Sequence, residues 1–331
     1  MNLSLTLLIS ERCNIPCRHC LLGDRDLMNS RKDMPYEDAA KYIDQMAEIS
    51  AEENVGFYVR FTGGEPLLRY PEILEFIRYA RQKGAQEIGS MSNGFWGKDE
   101  NYARHLAREL KKAGLSSLCF SFDDFHQEHI PVSTVRNAIK ACRDAGLYYQ
   151  IKCVVTQKTR RLPEVLSDLG DLMLNQSVIV QEIPCYPVGS ASTMIPPEDL
   201  FYEEVIPGQP CPSGLMLAVL PDGTTFPCCG ACWNHRLVMG NAKKEALRGL
   251  FDKMRHGSLM RILREKGPSF FVPYYEECGH SLRQDRYVSY CDLCKEVLTH
   301  PAFEEIEPLV SYAWRKEHVE NLFSKLLGDE A

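Results

Sequence analysis

Six apolar, strand-like stretches alternate with helical ones between residues 3 and 184, and that alternation admits few architectures. "LSLTLLIS" reads as the first strand, and after Pro35 the residues Ala39, Ile43 and Met46 recur at helical spacing. "VGFYVRF" (55–61) reads as a strand, followed by a helix through "YPEILEFIRYARQKG" that stops at Gly84. The alternation continues with a strand near 86–91, a helix near 99–113, the strand "LSSLCFSF" and a helix over 132–145. The strand "YYQIKCVVT", a helix over 161–173 and the strand "SVIVQEIP" complete it. Strands joined through helices pair in parallel by right-handed crossovers, so an α/β architecture is expected. Reactive groups then gather at the C-terminal strand ends. The segments 13–20 ("CNIPCRHC"), Gly63–Pro66 and Ser92–Gly94 each follow a strand directly. They are expected to share one mouth.

With 331 residues, 44% of them hydrophobic and 10% aromatic, the chain can bury one large domain and a smaller one. No apolar run approaches membrane-spanning length, and "MNLSLTLLIS" lacks a basic leader and a small-residue cleavage site. A cytoplasmic protein with no membrane partner is expected. The net charge of −7 and the scattered basic residues argue against nucleic acid. Fourteen cysteines therefore point to metal or thiol chemistry, because disulfide frameworks belong to small secreted chains. Cys119, Cys142, Cys153 and Cys185 stand singly in apolar stretches and read as core.

Cys13, Cys17 and Cys20 are too few for a closed zinc site, which takes four ligands, usually from paired knuckles. Three thiolates suit three irons of a four-iron, four-sulfur cubane whose fourth iron stays open. The pattern resembles the CxxxCxΦC signature of the radical S-adenosylmethionine (SAM) superfamily, with His19 in place of the usual aromatic at Φ. The resemblance implies a partial (β/α)6 barrel with a small C-terminal iron–sulfur domain. It also implies that the open iron chelates SAM, whose one-electron cleavage yields a 5′-deoxyadenosyl radical.

"FTGGEP" strengthens the resemblance. Gly63 and Gly64 let backbone approach a ligand, Pro66 stiffens the turn, and Glu65 offers an acceptor to an amine. By the resemblance, Thr62, Gly63, Gly64, Glu65 and Pro66 form the SAM-amine motif. Ser92 and Asn93 of "MSNGFWG" then contact ribose or methionyl groups. Ser121 and Asp123 of "SFDDFHQEHIP" face the pocket, whereas His126 and His129 read as loop anchors.

After Pro184 the chain turns proline- and glycine-rich. Then Cys211, eleven residues, Gly223, four residues and Cys228 match the opening of the auxiliary-cluster modules called SPASM and twitch. "PDG" is the hairpin turn that brings two thiolates together. Cys291 and Cys294 supply a second pair, so four thiolates are expected to close a second cubane, with structural zinc as the alternative. The expected division is 1–185 barrel, 186–210 linker, 211–296 auxiliary cluster domain and 297–331 C-terminal helix. In that helix Val319, Leu322, Phe323 and Leu326 form an apolar face expected to pack on the barrel.

Adjacent cysteines in extended chain point to opposite faces, so Cys228 and Cys229 can hardly serve one cluster. "FTGGE", "SNGFWG", "PCC", "ILREKG" and the late CxxC, in this order, resemble the radical SAM peptide epimerases of ribosomal peptide biosynthesis. By that resemblance Cys228 ligates the auxiliary cluster and Cys229 is catalytic. The adenosyl radical removes an α-hydrogen from an L-residue, and Cys229 returns hydrogen from the opposite face to leave a D-residue. The implied partners are a ribosomally made precursor peptide, docking on the barrel itself or on a separate protein, and an electron donor such as flavodoxin or ferredoxin. Crosslinking maturases and oxidising dehydrogenases share every feature except the need for a donor thiol. A non-catalytic iron–sulfur carrier would have no use for the GGEP turn. Cys232 and Cys278 stay unassigned, as alternative ligands or as reductants of Cys229.

Overall fold

The computed structural model describes residues 2–23, 32–173, 178–204, 208–228, 234–282 and 285–327. Its first half is a β/α succession: β1 (Leu3–Ser10), α1 (Tyr36–Glu52), β2 (Phe57–Gly63), α2 (Glu72–Gln82), β3 (Glu87–Ser92) and α3 (Glu100–Ala113). It continues through β4 (Ser117–Ser121), α4 (Asp124–Gln127), α5 (Val132–Asp144), β5 (Tyr148–Val155), α6 (Leu162–Ser167) and β6 (Ile179–Pro184). Each of these six strands pairs in parallel with the next. The architecture is α/β, a partial six-stranded barrel with helices on its outer face.

The helices form where the apolar period is 3.6 and stop where the chain supplies a cap. In α3, Asp99 accepts from Tyr102 N–H at the start, and Gly114 in the left-handed conformation ends it. Ala103, Leu106, Ala107 and Leu110 form its buried stripe. The expected helix over 161–173 is shorter: α6 stops at Ser167, and a 3-10 turn, Gly170–Met173, follows. Gly170 has φ +53°, which breaks the helix between them.

Strand alternation divides the barrel's two faces. In β4, Leu118 and Phe120 are fully buried against the helices, while Cys119 and Ser121 are half-buried on the inner face. Cys142, Cys153 and Cys185 are buried, as expected. Cys119 is not a core residue, because its strand position turns it inward.

The second half contains α7 (Ala191–Met194), β7 (Glu203–Glu204), the hairpin β8 (Leu215–Val219) and β9 (Thr224–Phe226), and β10 (Gly240–Asn241). Then come α8 (Leu247–His256), α9 (Ser258–Glu265), α10 (Val272–Glu277), β11 (Arg286–Tyr287), α11 (Tyr290–Thr299) and α12 (Phe303–Leu327). β8 pairs in parallel with β1, from Leu3↔Leu215 to Leu7↔Val219. Among the described residues the main sheet therefore runs β10-β9-β8-β1-β2-β3-β4-β5-β6. The hairpin closes on the free edge of the first strand and carries the C-terminal module to the barrel. α8 reinforces the join: Leu247 N–H donates to Gln45 Oε1 at 2.9 Å, and Arg248 pairs with Glu52 at 2.9 Å.

A second apolar core gathers Phe226, Leu263, Phe271, Tyr275, Leu293 and Val297 with Phe303, Ile306, Val310 and Trp314 of α12. Among the described residues the last helix packs on the C-terminal module through its first half, and the side chains of Leu322 and Leu326, of the expected apolar face, lie outside the described residues. Val319 and Phe323 of the expected apolar face are 48% and 59% exposed. Among the described residues no helix is long and apolar enough to cross a membrane.

Candidate active site at the barrel mouth

The loop that carries the three cysteines leaves β1 at Ser10 and is anchored on two sides. Ser10 Oγ donates to Asp33 Oδ1 at 2.7 Å, and Arg12 pairs with the same carboxylate. On the opposite side Gly64 N–H donates to Ser10 O and Glu65 N–H to Arg12 O, each at 2.8 Å. These bonds require backbone to lie on backbone. Gly63 has φ +141°, and a Cβ there would stand 2.0 Å from Ser10 O. A Cβ at Gly64 would stand 2.1 Å from Arg12 O. The close approach expected of the two glycines is made to the cysteine loop itself.

Cys17 is buried; Cys13 and Cys20 are half-buried. Cys20 O accepts from Ser190 N–H at 2.9 Å, so the segment after β6 closes over the loop. Burial, aided by Glu65, Cys17 and Cys20, pushes the Cys13 thiol up to about 12. A thiol raised this far by burial ionises readily only beside a compensating cation.

Glu65 is almost fully buried, and its carboxylate ties the end of β2 to the end of β3. Oε2 accepts from Asn93 N–H at 2.7 Å and Oε1 from Leu67 N–H at 3.1 Å, capping the 3-10 turn that Pro66 opens. Burial pushes this carboxyl up to about 7, against the hydrogen bonds from Asn93, Leu67 and Ser92. Ser92 Oγ also accepts from Gly94 N–H and Trp96 Nε1, both at 3.1 Å. Asn93 Nδ2 donates to Asn14 Oδ1 at 2.9 Å and lies 3.9 Å from Cys13 Sγ. Thr62 Oγ1 sits 3.8 Å from Met91 Sδ, next to the same turn.

Beyond β4, Ser121 lies in register with Lys152 on the inner face. Asp123 is fully buried, and the chain itself takes up its carboxylate. Oδ1 accepts from His126 N–H at 3.0 Å and pairs with His126 Nδ1 at 2.8 Å; Oδ2 accepts from Val154 N–H at 3.2 Å. Burial alone would depress His126, but the charge and hydrogen bond of Asp123, with help from Cys17, hold it well above the usual histidine value. His19 stacks on Phe125, with centroids 4.6 Å apart, and meets His126 edge-on at 4.8 Å. Burial and the neighbouring His126 push His19 down to about 4, so its ring is neutral. Its Nδ1 is buried without a hydrogen-bond partner among the described residues.

The second set of cysteines gathers under the C-terminal module. Cys211 is fixed by its N–H, which donates to Leu263 O at 2.9 Å. Burial pushes its thiol up, and the charges of Cys294 and Cys291 act on it in the same direction. Cys228 and Cys294 are both buried in the second core. Ser289 caps α11, accepting from Cys291 N–H and Asp292 N–H, and Cys294 follows on the next turn. The "PDG" hairpin forms as expected, with Ala218↔Phe226 and Val219↔Thr225 in antiparallel register. Cys229 and Cys232 lie outside the described residues.

Residues 7–156 match the sequence profile of the Radical SAM superfamily. These residues are a radical SAM domain. The family implies SAM and a four-iron, four-sulfur cluster. The chain is 25% identical over 305 residues to "Putative peptide biosynthesis protein YydG" of Bacillus subtilis (strain 168), covering 88% of this chain and 91% of that one. It is also 27% identical over 197 residues to "GTP 3′,8-cyclase 2" of Pseudomonas aeruginosa, covering 57% of this chain and 56% of that protein. Among solved structures, "Native anSMEcpe with bound AdoMet" superposes with a TM-score of 0.61 at 17% identity, over 94% of this chain and all of that one. The same protein "with bound AdoMet and Cp18Cys peptide" gives a TM-score of 0.59 at 17% identity, over 95% of this chain and 100% of that one. These likenesses show the fold.

The mouth of the radical SAM domain fits the two groups. The raised Cys13 thiol suits a compensating cation, and His19 Nδ1, buried with no hydrogen-bond partner among the described residues, suits a polar ligand. Some contributions were hard to read in sequence. Asn93 reaches the first cysteine, and "ILREKG" holds Cys211 in place through Leu263 O. Arg264 caps α8 by donating to Met254 O at 2.7 Å. The i,i+3 pair Asp123–His126 was visible in "SFDDFH", yet its tie to Cys17 depends on a fold that brings β4 beside β1's loop.

Proposed function

We propose that this radical SAM enzyme inverts L-residues of a ribosomally made peptide to D-residues. The carrying observation is the similarity to the peptide biosynthesis protein, which covers 88% of this chain and 91% of that one. When bound, the cluster and SAM supply a one-electron route to a radical that takes hydrogen from carbon. The chain's own residues do the rest. Cys13, Cys17 and Cys20 hold the cluster, and the Thr62–Pro66 turn with Ser92, Asn93 and His19 shapes the SAM pocket. Ser121 lines the wall beside Lys152. Cys211, Cys228, Cys291 and Cys294 hold a second four-iron cluster, and Cys229, outside the described residues, is the donor that the resemblance assigns.

A thiol is a suitable hydrogen-atom donor, and inversion requires two groups on opposite faces of one carbon. The α-hydrogen is removed on the SAM side, and Cys229 returns a hydrogen atom on the other, leaving a thiyl that one electron from the proposed electron donor and one solvent proton restore to the thiol. The divisions 1–185, 186–210, 211–296 and 297–331 then correspond to generation of the radical, a crossing segment, delivery of the donor and a packing helix. Flavodoxin or ferredoxin is the electron donor proposed.

The test is to find a short peptide encoded beside the gene and to analyse the product that reconstituted enzyme, SAM and a reductant make from it. Epimerisation gives an isobaric product with D-residues on chiral amino-acid analysis. A product lighter by two hydrogens would replace this reading with crosslinking or oxidation.

A further inference from the structure

α12 carries two faces, and the second core accounts for one of them. Phe303, Ile306, Val310 and Trp314 are buried against the C-terminal module, and Glu317 continues that side by pairing with Lys266. The other side carries Leu309, Tyr312, Val319 and Phe323, which are 45%, 71%, 48% and 59% exposed. With Lys316 between them, these positions advance by alternating steps of three and four, and Leu326 is next in the same rhythm. That is the 3.5-residue repeat of a coiled-coil seam, with 309, 316 and 323 at the a positions and 312, 319 and 326 at the d positions. The stretch from Leu309 to Phe323 is about 21 Å long at 1.5 Å per residue. Isolated coiled coils of this length are marginal because the helix must form as well. Here the first half of α12 is already docked on the second core, so the helix exists before any partner arrives.

We propose that a second copy of this chain covers that face, the two α12 helices forming a short, parallel, two-fold-symmetric coiled coil. Charge selects this occupant. Arg315 stands at a g position and Glu320 at the following e position, and both are exposed. In a parallel pair, g of one helix meets e of the other five residues on, so Arg315 meets Glu320 of the second copy and symmetry repeats the pair. An antiparallel pair sets g against g and e against e, which gives neither charge an opposite partner. Lys316 in the seam costs stability and fixes register, as one polar a position does. It reaches Glu320 Oε1 of its own helix at 3.9 Å, so its charge lies toward the rim while its stem follows the seam. A lipid surface calls for a basic polar face, whereas here Arg315 and Lys316 are followed by Glu317 and Glu320. The proposal is independent of the reaction catalysed.

The test is sedimentation velocity of the anaerobically reconstituted holoenzyme across about 1–100 μM, where a short interface of this kind dissociates. The wild type should pass from the 37.7 kDa chain toward twice that mass. Val319→Glu/Phe323→Glu should stay monomeric throughout while keeping wild-type iron content and urea midpoint, because both positions are exposed. Arg315→Glu should weaken the dimer about tenfold, and the charge swap Arg315→Glu/Glu320→Arg should restore it. A wild type that stays monomeric overturns the proposal, and so does a dimer that persists in Val319→Glu/Phe323→Glu. Wild-type affinity in Arg315→Glu, or a charge swap that fails to restore it, overturns the parallel pairing and the proposal with it. Monomeric wild type that binds phosphatidylcholine–phosphatidylglycerol vesicles, with binding lost in Val319→Glu/Phe323→Glu, would make the face a lipid contact, and the proposal would fall.

Discussion

Gly64→Ala isolates the fitting between the second strand end and the cysteine loop. The new Cβ would lie 2.1 Å from Arg12 O, 2.4 Å from Arg12 C and 3.0 Å from Cys13 N. All three are backbone atoms, so no side chain can swing aside. Relief requires the loop to retreat by more than 1 Å from ordinary contact, roughly the distance between van der Waals contact and this overlap. Retreat breaks the bonds Gly64 N–H to Ser10 O and Glu65 N–H to Arg12 O, both 2.8 Å. Two backbone bonds at about 1 kcal/mol each, plus about 1–3 kcal/mol of overpacking, give a loss of about 3–5 kcal/mol. Because the displaced atoms include Cys13 N, the first cluster should suffer before the fold does. The assay is iron per chain after anaerobic reconstitution, alongside urea midpoints of the cluster-free protein. Gly249→Ala is the control: it lies in α8, nothing stands within 4 Å of its Cβ, and helix propensity predicts a gain of about 1 kcal/mol. Wild-type iron content and stability in Gly64→Ala would refute the reasoning.

Two further outcomes follow from the site. Glu65 is raised by burial to about 7 in the folded chain from an ordinary 4.5, so the folded state binds its proton more tightly than the unfolded one. This contribution to stability is therefore full below about pH 4.5 and is lost as pH rises through about 7. Relative to Glu65→Gln, cluster-free wild type should lose urea resistance across that window; parallel profiles would contradict it. Cys13→Ala/Cys17→Ala/Cys20→Ala should lose about half the iron and all SAM cleavage, whereas Cys211→Ala/Cys291→Ala should lose the other half and keep SAM cleavage in the absence of peptide. Iron analysis showing one cluster in the intact protein would remove the second-cluster proposal.

The strand-and-helix order was readable because strands such as β2, β4 and β5 are apolar on their helix-facing side and helices such as α3 carry a 3.6-period stripe. The cysteine triad and the GGEP turn were readable because their spacing is local. What pattern alone did not reveal depends on distant contacts. Nothing in "LMLAV" announces that it pairs with "LSLTL" some two hundred residues earlier, yet β8 lies in register with β1. Cys119 looked like core because its neighbours are apolar, and only the pleat says which face it takes. Glu65 and Asp123 looked free to meet a ligand. Both are almost fully buried and hydrogen-bonded to backbone N–H groups, Glu65 to Asn93 and Leu67 and Asp123 to His126 and Val154. α12 looked bound for the barrel, but the residues that pack are those at Phe303–Trp314, which meet the C-terminal core.

The central claim is that Cys229 returns hydrogen to the inverted carbon, and turnover in heavy water tests it most directly. A thiol proton exchanges with solvent before transfer, so the D-residue should gain about one mass unit at its α-carbon while the hydrogen removed appears in 5′-deoxyadenosine. In Cys229→Ala, SAM cleavage and hydrogen removal should persist without D-product. An unchanged yield of D-product from Cys229→Ala, or D-product from heavy water with no deuterium at the α-carbon, would contradict the account.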